Sequence, residues 1–298
     1  MSYISSSYST EVDAVLEGHL TIVDINIPPS SLQGVDAYRG VTAKFCLLDW
    51  KLQQQEPQKV PMFNDLMRQS KMCDSTMITV DLWDIAKQAR AYDDQLTASN
   101  EILAVPPTGV VFHESRCGST LTANALAGFS PDHSRVYSES SVQLHALMAC
   151  DKNPCNPTLH RHLIQDVFYL SGRTVRKERP QYVFYKISSI GSLFVDKFTE
   201  AFPNVPWMYL YRDTVEVMQS HLAPASVGGI VRSRDRPVCL RQQAQPIQPA
   251  PTVQIAQSKQ RDPASLSREE YCATHLVRIC TCIFICMETE CGLDGFLS

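Results

Sequence analysis

The sequence lacks several features that would have settled its class at once. No apolar run approaches the roughly 20 residues of a bilayer-spanning helix. The opening residues, Met1-Ser2-Tyr3-Ile4-Ser5-Ser6-Ser7, show neither the basic segment nor the apolar stretch of a secretion signal. The expectation is a chain with no membrane span, in the cytoplasm. Positive charge is not in excess: 27 Lys and Arg against 31 Asp and Glu leave a net charge of −4. That excludes the strongly basic surface on which nucleic-acid binding depends. None of the 11 cysteines forms a C-x-x-C pair, the usual zinc knuckle, so no metal is expected. Their spacing gives no disulfide framework either. The densest group lies between Tyr271 and Met287, a segment that reads as a mostly buried helix in which free cysteine packs as a small hydrophobe.

What is present is concentrated in Gly109-Val110-Val111-Phe112-His113-Glu114-Ser115-Arg116-Cys117-Gly118-Ser119-Thr120-Leu121. The apolar run to Phe112 predicts a buried parallel strand, followed by a polar loop and a helix that begins near Leu121. Strand, tight loop and helix aim several backbone N–H groups and a helix N-terminus at one point, which suits a phosphate. The loop lacks the lysine of G-x-x-x-x-G-K-[ST], the form that holds nucleoside triphosphates. Arg116 is its one cation.

Two more strands are predicted at Tyr182-Val183-Phe184-Tyr185-Lys186-Ile187 and Trp207-Met208-Tyr209-Leu210-Tyr211. The second runs into Arg212-Asp213-Thr214, with Asp213 or Thr214 as the N-cap of a helix that carries Ser220. Arg212 then stands at the carboxyl end of a strand, where open α/β sheets bind ligands. A further strand is expected just before Glu139.

Ser115-Arg116-Cys117-Gly118-Ser119-Thr120-Leu121 resembles the 5′-phosphosulfate loop of the sulfotransferase family. Arg212 followed eight residues later by Ser220 is similar to that family's 3′-phosphate motif. The resemblance covers roughly residues 105 to 225 and implies a three-layer α/β/α P-loop-like fold with a short parallel sheet. It implies transfer of a sulfuryl group from 3′-phosphoadenosine 5′-phosphosulfate (PAPS) to a hydroxyl or amine. On this reading Ser115, Arg116, Cys117, Gly118, Ser119, Thr120 and Leu121 hold the phosphosulfate, and Arg212 and Ser220 hold the 3′-phosphate. Arg116 stabilises the leaving group, and Glu139 is the acceptor base, with His113 and Glu114 in reserve. The partners implied are an adenine nucleotide and an acceptor of unspecified class. The rival readings are a P-loop kinase or hydrolase and a non-catalytic scaffold with a degenerate nucleotide site.

Residues 1 to 104 read as an N-terminal accessory cap, with a strand at Leu20 to Ile25 and helices near 63–72 and 82–91. Residues 105–298 read as the core. Within it, 228–265 is rich in Gln, Pro, Arg and Ser and reads as a flexible lid or disordered loop. Ser267 to Glu270 has the form of a capping box that restarts a helix. The family's late strand and its basic or glycine-rich closing segment are not recognisable after Met287, so the chain reads as a divergent or C-terminally truncated member.

Overall fold

The computed structural model describes residues 11–96, 103–151, 155–175, 177, 179–222, 262 and 265–288. The N-terminal region contains α1 (Glu11–Leu16), β1 (Thr21–Asn26), β2 (Thr42–Cys46), α2 (Lys51–Gln55), α3 (Phe63–Gln69), β3 (Ile78–Asp81) and α4 (Leu82–Leu96). Its strands form an antiparallel sheet in the order β1-β2-β3. Only β1 was legible as a strand. In β2, Ala43 and Phe45 point inward and Lys44 outward, an alternation too short to stand out in the sequence.

The second sheet is made of β4 (Gly109–His113), β5 (Ser134–Ser138), β6 (Tyr182–Lys186) and β7 (Trp207–Leu210) in the order β5-β6-β4-β7, every neighbouring pair parallel. The connecting helices are α5 (Ser119–Phe129), α6 (Ser141–Met148), α7 (Pro157–Ser171), α8 (Val195–Ala201) and α9 (Thr214–Leu222), with α10 (Arg268–Glu288) last. Both faces of this sheet are covered, as parallel sheets require. On one, Ala123 and Ala127 of α5 pack with Val136 and Phe184. On the other, Phe112, Tyr137 and Tyr185 meet Phe168 of α7 and Phe198 of α8. The chain is thus an α/β protein built on a parallel sheet.

The N-terminal region is no separate body. One continuous hydrophobic core runs from Ala14 and Val15 through Phe45 to Phe198. Polar side chains join the two parts as well. β5 is an edge strand, and unpaired edges attract other chains. Gln53 of α2 occupies part of that edge: its Nε2 donates to the Val136 carbonyl at 2.8 Å, and its Oε1 accepts from the Val136 N–H at 2.9 Å. Arg173, beyond α7, is buried and donates from Nη1 to Asp93 Oδ2 of α4 at 2.8 Å.

Helix ends follow the sequence signals. Asp213 Oδ1 accepts from the N–H groups of Val215 and Glu216 at 3.0 and 3.1 Å. Ser267 and Glu270 form the expected reciprocal capping box, at 2.9 and 3.2 Å. Residues 223–261 and 289–298 lie outside the described residues, so the lid expected there and the missing closing segment are not among the described elements. Helix α10 alone among the described residues is long and apolar enough to cross a membrane, by length and composition. Tyr271, Leu276, Ile279 and Ile283 of that helix are buried in the protein.

The cysteines depart from expectation. Cys46 is bonded to Cys73, and Cys150 to Cys155, while Cys272 is disulfide-bonded as well. Spacing alone could not reveal the first pair: tertiary packing brings the two Cα atoms to 4.8 Å across 27 residues. Cys280 and Cys282 in α10 are free and half-buried, whereas the bonded Cys272 of the same helix departs from the expectation of free cysteines there. Disulfides persist in oxidising surroundings and are rare in the cytosol, so the cysteine chemistry and the cytoplasmic expectation point in different directions. Closing a loop of this length contributes about 3.5 kcal/mol in the chain-entropy view. The Cys46→Ala/Cys73→Ala variant is therefore expected to unfold at lower urea concentration with a slope at least as steep, because its unfolded chain is no longer cross-linked. A midpoint equal to that of the parent protein would show that the bond adds no stability.

Candidate functional site

The carboxyl ends of β4, β5 and β6 bring three ionisable side chains together. β6 ends in Lys186, whose side chain is fully buried. A buried ammonium must be paired or neutralised, and Lys186 Nζ is hydrogen-bonded to Glu139 Oε1. Glu139 is the residue after β5, held in the left-handed region at φ 53°, an uncommon conformation for a non-glycine residue. Its N–H donates to the Lys186 carbonyl at 2.7 Å, which fixes the turn. His113, the last residue of β4, puts Nε2 3.5 Å from the same Glu139 oxygen, within ion-pair range but long for a hydrogen bond. Its Nδ1 donates to the Glu114 carbonyl at 2.7 Å, so in the neutral ring the lone pair is on Nε2.

Electrostatics sharpen the division of labour. Burial pushes the Glu139 carboxyl up, but the contacts with His113 and Lys186 outweigh it and hold the group down to about 2. Burial pushes His113 down, yet contacts with Cys117 and Glu139 leave it raised above its ordinary 6.5. Glu139 is thus ionised at any working pH, while His113 holds its proton more readily than a free imidazole. Glu139 also reaches the surface, with 30% of its side chain exposed, while His113 is buried behind it.

The loop from Glu114 to Gly118 joins β4 to α5. Arg116 and Gly118 both have positive φ, 70° and 92°. Nothing stands within 4 Å of the point where a Cβ on Gly118 would sit, so the space there is open. Ser115 and Ser119 are buried, Cys117 and Thr120 half-buried, and Arg116 and Leu121 exposed. The Arg116 guanidinium turns across to α9, where Nε donates to Ser220 Oγ at 2.8 Å. The two motif segments, 104 residues apart, therefore meet.

Arg212 is placed otherwise. It is exposed, and its Nε is bonded to Glu216 of the helix that follows it, α9. Its backbone N–H donates to Glu114 Oε1 at 2.6 Å, fixing the end of β7 to the loop. Burial raises the Glu114 carboxyl, although the Arg212 N–H opposes this. Glu114 thereby serves as a brace between loop and strand. Sequence reasoning brought out Arg116, Ser220, Glu139 and His113 but passed over Lys186. A lysine closing an otherwise apolar strand was the available signal, because a charge there must meet a partner.

Replacing Glu139 by Gln strands a buried ammonium, at a cost on the order of 3 kcal/mol. The double variant Glu139→Gln/Lys186→Met should recover most of that loss in urea unfolding. Additive losses would show that the two side chains are not coupled. The depressed carboxyl also sets a sign: its contribution is present above the ordinary 4.5 and lost as pH falls toward about 2. The gap in stability between parent and Glu139→Gln should therefore close over that window.

Comparison with known proteins gives no match: no family model, curated protein or solved structure is similar to the chain.

Proposed function

We propose that this chain has a P-loop-like fold and is a sulfotransferase-like enzyme that transfers a sulfuryl group from PAPS to a hydroxyl or amine acceptor. The observation that carries the reading is the Arg116–Ser220 hydrogen bond. It joins a glycine-turned loop at a helix N-terminus to α9, the helix after β7, the strand beside β4 in the sheet, as suits a ligand with two anionic groups.

In this reading the loop N–H groups, Ser119 and Thr120 hold the 5′-phosphosulfate, with Ser115, Cys117, Gly118 and Leu121 shaping the cradle. Arg116 releases Ser220 and turns to the oxygen that bridges phosphorus and sulfur. Arg212 leaves Glu216 to meet the 3′-phosphate beside Ser220. The acceptor oxygen attacks sulfur, the bridging S–O bond breaks, and adenosine 3′,5′-bisphosphate leaves with the electron pair. Such transfer depends on positioning and charge stabilisation more than on covalent chemistry. Glu139, ionised and open to solvent, accepts the hydrogen bond of the acceptor hydroxyl. With its carboxyl held at about 2 by His113 and Lys186, it is a weak base by itself. His113, 3.5 Å away, takes the proton on Nε2 when its ring is neutral.

Isothermal titration with adenosine 3′,5′-bisphosphate tests the reading, with ATP and Mg²⁺ in parallel. The bisphosphate should bind in the micromolar range and ATP more weakly. Arg116→Ala should lose about 10- to 100-fold, the worth of a charge-assisted contact of roughly 1.5–3 kcal/mol. Glu216→Gln, which frees Arg212, should bind at least as tightly as the parent. A cooperatively folded protein that takes up no bisphosphate would remove the enzyme reading and leave the scaffold.

A further inference from the structure

A second group of reactive side chains lies away from the sheet's carboxyl edge, at the junction of α6 and α7. Cys150, just beyond α6, Cys155, just before α7, and His160 in the first turn of α7 place one ligand atom each within 4.8 Å of one another. Their spacing is C-x4-C-x4-H. That falls within the C-x₂₋₄-C range of zinc sites that scanning for C-x-x-C alone passes over.

His160 is prepared as a ligand. It is buried, and its Nε2 lies 2.9 Å from the Ala146 carbonyl. A carbonyl only accepts, so Nε2 carries the hydrogen and Nδ1 holds the lone pair. A ligand histidine fixed through its other nitrogen by a backbone carbonyl is the usual outer arrangement of metal sites. Glu200 lines the same cleft of about 90 Å³ as Cys150, Cys155 and His160, and the fourth position is left to solvent or to this carboxylate after a side-chain rotation. It is paired with Lys197 at 2.9 Å, an exposed bridge that is cheap to give up.

We infer that Cys150, Cys155 and His160 form a redox-gated site for a thiophilic divalent cation such as Zn²⁺, closed while the two cysteines are bonded and open once they are reduced. A dithiol or phosphine reductant supplies two electrons and is itself oxidised. The S–S bond breaks and each sulfur takes up one proton. On binding, both thiol protons go to solvent, two metal–sulfur bonds form, and His160 supplies a nitrogen. The junction of α6 and α7 is then tied in either redox environment, by a disulfide where it is oxidising and by a metal where it is reducing. Both cysteines are half-buried and reachable by reductant.

The test is titration of the reduced full-length protein with Co²⁺, read by its thiolate-to-cobalt charge-transfer absorption. One equivalent should bind and be displaced by Zn²⁺. The band should vanish in Cys155→Ser, survive in Cys46→Ser/Cys73→Ser, and need at least tenfold more cobalt in His160→Asn. A second readout needs no variant: Zn²⁺ should protect Cys150 and Cys155 from alkylation, mapped by mass spectrometry. A reduced protein that gives no band, a band indifferent to Cys155→Ser, or alkylation of both cysteines unaffected by Zn²⁺ would overturn the proposal.

Discussion

The ammonium of Lys186 constrains everything around the candidate site. A lysine with its side chain wholly buried has no water to solvate it, so the fold must bring it a carboxylate or lose several kcal/mol. The partner, Glu139, stands on the neighbouring strand end and adopts a left-handed backbone to reach it. That contact fixes β5 against β6 at the point where α6 departs. His113, from β4 on the other side of β6, then finds its imidazole against the same carboxylate. Three strand ends are drawn together by one buried charge. The register of the parallel sheet, Ser138 opposite Lys186 and Val111 opposite Lys186, is what makes the convergence possible.

Much of the core was legible because its signals are local. The apolar run before His113, the aromatic and β-branched strand at Tyr182, the Asp213 cap and the Ser267–Glu270 box each need only a few neighbouring residues. Lys186 was not legible, because a cation at a strand end is ordinary until the residue facing it is known. The weak base strength of Glu139 was hidden for the same reason: an isolated glutamate reads as an ordinary carboxylate. Arg212 and Ser220 form a motif in sequence, yet Arg212 turns to Glu216, four residues on, and Ser220 is met by Arg116 instead. Spacing along a chain identifies residues on one helix, and only tertiary packing decides which of them face a common point.

The cysteines teach the same lesson in reverse. Framework reasoning looks for regular spacings, which mark small domains that cannot build a core. This chain has a large core and uses its disulfides singly, each at a junction the hydrophobic effect leaves loose. Cys46–Cys73 binds the end of β2 to the turn that follows α3. Cys150–Cys155 closes the link between α6 and α7. Neither is visible as a pattern, and neither touches the cradle or the Lys186 cluster directly.

The resting arrangement of the cradle bears on how binding can be gained. Arg116 has positive φ, which carries a backbone cost, and its guanidinium is satisfied by a neutral hydroxyl. Arg212 is satisfied by an exposed carboxylate four residues away, a pairing worth a few tenths of a kcal/mol. Neither partner is a strong one for a guanidinium. A dianionic group placed between the loop and α9 would exchange the hydroxyl partner of Arg116 for an ionised one, about twice as strong as a neutral acceptor, and the exposed carboxylate partner of Arg212 for a doubly charged one. The loop backbone is already turned and the space over Gly118 is already open. Little of the gain is then spent on rearrangement. The Lys186–Glu139 pair, by contrast, has a wholly buried ammonium, so it persists through any such exchange and keeps the ends of β5 and β6 fixed while the loop and α9 re-pair.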